Sequence, residues 1–76
     1  MDGPTLDDVR IAKTEVVQQL RHHQEFAGAG IGQQDGQFSV RVNWRVLPRD
    51  VELPRQLGNV KITHHEVGRI RAQGKD

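Results

Sequence analysis

Residues 38–46 read Phe-Ser-Val-Arg-Val-Asn-Trp-Arg-Val, and this run constrains the chain more than any other. Apolar and polar residues alternate over nine positions, the side-chain period of a β-strand. Such a strand buries one face and wets the other. Phe38, Val40, Val42, Trp44 and Val46 are expected to point into a core, and Ser39, Arg41, Asn43 and Arg45 away from it. A helix would scatter these residues around its circumference, so the chain must build a sheet and cover one side of it.

The cover precedes the strand. Leu6, Val9, Ala12, Val16, Val17 and Leu20 recur at helical spacing and form one apolar stripe. Thr5 stands at the N-cap with Asp8 three positions on, a capping-box arrangement, and Asp7 and Asp8 suit the positive end of a helix. Arg21, His22 and His23 suit the negative end. The pattern predicts a helix over residues 5–25.

Between helix and strand lies Ala27-Gly28-Ala29-Gly30-Ile31-Gly32, which reads as a strand whose glycines allow close approach of the helix or of a large aromatic ring. Gln33-Gln34-Asp35-Gly36 follows, and Asp-Gly is a strong hairpin-turn dipeptide. The expected hairpin spans residues 27–46. Residues 47–59, with Pro48, Pro54 and Gly58, read as a loop, with or without one short turn of helix. Loops of that length are packed down or functional, and Leu47, Val51, Leu53 and Leu57 favour packing. A last strand runs from Val60 to about Ala72, with Gly68 as a bulge or bend and Ile70 continuing the buried face. Residues 1–4 and 73–76 read as disordered tails. The expected fold is α+β: one N-terminal helix on one face of a small, mostly antiparallel three-stranded sheet, in a single domain over residues 1–76.

A chain of 76 residues buries only about 60% of its unfolded surface, so its core is thin. It has no cysteine and therefore no disulfide to reinforce it. Good packing or a second copy must supply the rest, and monomer and homodimer both remain open. The lack of cysteine fits a reducing compartment, and Met1-Asp2-Gly3-Pro4 is neither basic nor apolar, so the expected location is cytoplasmic. No apolar run approaches a membrane span.

Each candidate site has a bland alternative. Gly28-x-Gly30-x-Gly32 lacks the strand-before, helix-after setting of a dinucleotide or phosphate loop, so strand packing is preferred. His22-His23 and His64-His65 could give one metal ligand each, with Glu25 or Glu66, if the helix end meets the last strand. A helix terminus and a solvated strand end explain them as well, and no metal or cofactor is expected. Arg41, Asn43, Arg45, Lys61, Arg69 and Arg71 could form a basic, partner-binding sheet face. The net charge of +1 gives no nucleic-acid footprint, although a local patch could contact phosphates. Catalysis finds no nucleophile motif: there is no Cys or Tyr, and Ser39 is the only serine. The expected function is a non-catalytic protein-interaction or accessory module, with nucleic-acid or anion binding as the alternative.

The order of motifs resembles a known family. An N-terminal helix is followed by Gly28-Ala29-Gly30-Ile31-Gly32, the Gly36 turn and the alternating strand. Then come Leu53-Pro54, Gly58-Asn59-Val60 and Gly68-Arg69-Ile70-Arg71-Ala72. This is similar to the small α+β module that precedes the protease domain in some bacterial trypsin-like proteins. The resemblance implies an accessory or stand-alone module and transfers no catalytic residue.

Overall fold

A computed structural model describes residues 3–68. A helix, α1 (Leu6–Leu20), is followed by strands β1 (Phe26–Gln34), β2 (Gln37–Trp44), β3 (Gln56–Leu57) and β4 (Val60–Glu66). The strands form one sheet in the order β1-β2-β4-β3. The α+β class and the single covering helix are as expected, but the sheet has four strands and is mixed. β1 and β2 are antiparallel, β2 and β4 are parallel, and β3 and β4 are antiparallel.

The parallel pair accounts for the length of the 47–59 segment. Antiparallel neighbours need only a tight turn, whereas parallel neighbours need a crossover of a dozen or more residues. Residues 45–59 make that crossover. They travel past β4, add the two-residue β3 at its far side, and turn back at Gly58-Asn59. Gly58 has φ 62 and opens this two-residue turn, where a positive φ suits glycine. At the β1–β2 turn Asp35 and Gly36 have φ 54 and 79, the pair of positive values a type I′ turn requires.

α1 begins as its sequence dictates. Thr5 Oγ1 accepts from the Asp8 N–H at 3.1 Å, and Asp8 Oδ2 accepts from the Thr5 N–H at 3.0 Å, a complete capping box. The helix stops at Leu20 rather than at 25. The next residues turn sharply, with the His23 N–H donating to Leu20 O and the Phe26 N–H to His23 O. This early stop lets His23 and Phe26 each present a ring to Trp44, both near a right angle, at 5.6 and 5.9 Å between centroids. Tertiary packing of aromatic rings overrides the continued helical pattern.

The core lies between α1 and one sheet face. Val9, Ala12, Val16 and Leu20 meet Val40, Val42, Trp44, Val60 and Ile62, with Phe26, Ala29, Phe38, Leu47, Leu53 and Leu57 at its margin. Three inward assignments need correction. Val46 is 54% exposed, because β2 ends at Trp44, the Arg45 N–H donates to Glu25 O, and the chain bends away. Leu6 is exposed at the flank of the helix stripe, and Val51 is exposed on the crossover. Pro4, read as part of a tail, is buried. The strand from Val60 ends at Glu66, and Gly68 follows with φ 69. Ile70 and the segment to Ala72 lie outside the described residues.

Candidate functional site

The helix covers one face of the sheet and leaves the other open. Strand register assigns every residue to a face. Ser39 pairs with Lys61, Arg41 with Thr63, and Asn43 with His65. The same rows meet Gly32, Gly30 and Gly28 on β1. The glycines therefore lie on the open face, not against the helix or an aromatic ring as expected. A bulge between Phe26 and Gly28 sets this register, and Ala29 and Ile31 take the helix side. Among the described residues, a Cβ built on Gly28 or Gly30 would meet nothing within 4 Å. The result is a lane along β1 without side chains.

Beside that lane stand Arg41 and Lys61, both exposed. The open-face positions of β1, β2 and β4 hold no carboxylate. Arg41 Nε donates to Asn43 Oδ1 at a long 3.4 Å. Ser39, expected to be wet, is only 3% exposed. It lies in a cleft of about 240 Å³ with Gly32, Gln33, Gln34, Arg41, Thr63 and His65. His65 Nε2 lies 3.1 Å from Thr63 Oγ1, which donates to Val40 O.

The basic face read from the sequence is assembled only in part. Arg41, Asn43 and Lys61 share the open face. Arg45 does not extend it, because its guanidinium Nη1 donates to Gln24 O at 3.0 Å and ties β2 to the turn after α1. Arg69 and Arg71 lie outside the described residues.

The histidine doublets are divided by face. His64 is no solvated strand end. It lies on the core side and accepts from Trp44 Nε1–H at Nδ1, 3.0 Å away. Indole N–H only donates, so the remaining ring proton sits on Nε2, 2.6 Å from the Pro54 carbonyl oxygen. His64 thus connects the core tryptophan to the crossover. Glu66 makes a second tie, accepting from the Leu47 N–H at 3.0 Å. Together they hold the crossover over a cleft of about 770 Å³, lined by Leu47, Pro48, Leu53, Ile62 and His64 among others. His23 and His64 both pack on Trp44. Among the described residues no group of three His, Cys, Asp or Glu side chains could hold a metal ion.

Ser39 and His65 line one cleft, but His65 pairs with Asn43, four residues along the strand from Ser39. Among the described residues no hydrogen bond joins the Ser39 hydroxyl to the His65 ring, whose Nε2 is directed at Thr63 Oγ1, whereas a nucleophile and its base need that contact.

The sheet edges differ sharply. The β3 edge is two residues long, and the β1 edge is nine. The two-residue turn makes Gln34 and Gln37 a hydrogen-bonded pair, so Gly32–Ser39, Gly30–Arg41 and Gly28–Asn43 are hydrogen-bonded as well. Ala29, Ile31 and Gln33 therefore direct their N–H and C=O groups outward, away from β2. Residues 26–34 contain no charge and no proline, two devices by which sheet edges are ordinarily blunted. The hairpin is legible in the sequence, but only the strand order makes β1 an edge.

Compared with protein-family models, curated proteins and solved structures, the chain matches none. No helix among the described residues is long and apolar enough to cross a membrane.

Proposed function

We propose that this chain is a non-catalytic interaction module that binds a protein partner by strand addition at β1. The long, uncharged edge with outward groups at Ala29, Ile31 and Gln33 carries this reading. An added strand gains main-chain hydrogen bonds from those groups. The glycine lane leaves the open face flat beside the incoming strand, so side chains of many shapes can lie there. The His65 ring engages Thr63 Oγ1 rather than the Ser39 hydroxyl, which argues against a nucleophile–base pair at the open-face cleft. An accessory role agrees with the resemblance to the modules that precede trypsin-like domains.

A second reading rests on the open face itself. Among the described residues Arg41 and Lys61 stand there without a carboxylate, above the buried Ser39 hydroxyl, and phosphates of a nucleic acid or another anion are the ligands such a surface suits.

A pull-down with the wild-type chain and two variants separates the readings. Ile31→Lys places a charge at the middle of the β1 edge, and Arg41→Glu reverses the open face. A partner lost with Ile31→Lys, kept with Arg41→Glu and resistant to nuclease and high salt is the expected result. A partner lost with Arg41→Glu or nuclease, with steep salt dependence, transfers the function to the open face. Substrate turnover by the purified chain ends the non-catalytic reading.

A further inference from the structure

We infer that the strand added at β1 is the β1 of a second copy, giving a two-fold dimer with a continuous eight-stranded sheet. The inference rests on the strand-addition reading and names its partner. Three observations select a copy of the chain.

The first is self-complementarity. In an antiparallel pair centred on Ile31, Ala29 of one copy faces Gln33 of the other, and Ile31 faces Ile31. Each outward N–H and C=O then finds its counterpart, as a two-fold interface requires. With no charged residue in β1, the pairing sets no like charges opposite each other within the strands.

The second is the position of the helix. α1 packs over β1 and β2. Strands are spaced about 4.8 Å apart, so the helices of two joined copies would run about 10 Å apart. That is the distance at which helices pack. The dimer therefore closes a second layer above the new strand pair.

The third is what lies on that border. Asp8, Ile11 and Glu15 flank the helix on the β3–β4 side, around a cleft with Leu57 to Val60. Helical geometry puts Leu6 and Val17, with Arg10 and Lys13 between them, on the opposite flank, toward the β1 edge. Leu6 and Ile31 are each 38% exposed and Val17 is half-buried. Pairing at β1 would cover all three and extend the thin core across the two-fold axis.

Sedimentation velocity over a wide concentration range, with amide exchange on the same samples, tests the inference. The expected result is a monomer–dimer equilibrium in which the Ala29, Ile31 and Gln33 amides become protected as the dimer forms. Ile31→Lys should raise the dissociation constant by about thirtyfold or more, the effect of losing a central contact, with the fluorescence of buried Trp44 unchanged. Ile11→Lys, on the far flank of the helix, should leave the equilibrium as it is. Dimerisation that Ile11→Lys abolishes and Ile31→Lys does not would place the interface elsewhere and overturn the inference. A monomer at all concentrations with freely exchanging edge amides overturns the dimer but leaves strand addition by another partner standing. A monomer in which those amides are already protected overturns both.

Discussion

Trp44 is the residue on which most of the molecule converges. Its ring is fully buried, touched by His23 from the turn after α1, Phe26 from β1 and His64 from β4. Trp44→Ala should cost about 3–5 kcal/mol, enough to leave a domain of this size largely unfolded. Trp44→Phe separates packing from hydrogen bonding. It retains an aromatic ring but leaves His64 Nδ1 without its donor, a loss of about 1–2 kcal/mol for a half-buried acceptor on top of the lost volume. Urea unfolding followed by circular dichroism measures both. Long-range nitrogen NMR of His64 should show the Nε2–H tautomer, and a ring protonated at Nδ1 would contradict the bridge from Trp44 to Pro54. The burial of Trp44 was legible in the alternation of residues 38–46. The role of His64 was not, because the doublet shows only that the two rings diverge, and the partner strand decides which of them meets the tryptophan.

At the scale of elements, β1 is the strand whose sequence and structure disagree most with ordinary strand design. Glycine in a strand costs backbone entropy and contributes no packing. The open space above Gly30 means that none of the described residues demands it. Gly30→Thr should therefore stabilise the isolated domain by roughly 0.5–1 kcal/mol. Gly36→Ala should do the reverse by about 1 kcal/mol, since its φ of 79 strains any residue with a Cβ. Thermal melts of the two variants should move in opposite directions; a destabilising Gly30→Thr would show that the lane is covered within the fold. The glycines were readable as strand and Asp35-Gly36 as a turn, because those signals are local. The face of the glycines was not readable, because the bulge before Gly28 shifts the register, and a shift of one residue exchanges the two faces.

Across the whole molecule, the helix, the hairpin and the single core face could be anticipated from period and capping alone. The fourth strand could not. Gln56-Leu57 is too short to carry an alternation, and it pairs only because the crossover brings it alongside β4. Nor does any local pattern distinguish parallel from antiparallel docking of β4, since Val60 and Ile62 bury the same face in either direction. Length was the one available sign: a connection from Trp44 to Val60 suits a crossover and exceeds what a hairpin needs.

That crossover also sets an order in time. The β1–β2 hairpin closes over two residues, while β2 and β4 meet only after the segment between them has been folded back, at an entropic cost that grows with its length. The hairpin with α1 is thus the natural nucleus, and β4 is the late arrival. In stopped-flow experiments, Val42→Ala should mainly slow refolding, whereas Ile62→Val should mainly hasten unfolding, its loss of about 1 kcal/mol appearing after the barrier has been crossed. Equal effects of both substitutions on the refolding rate would mean that β4 is already in place at the barrier. If it arrives late, the newly made hairpin spends its first moments with both edges bare, and neighbouring nascent chains would compete with β4 for the same side of β2.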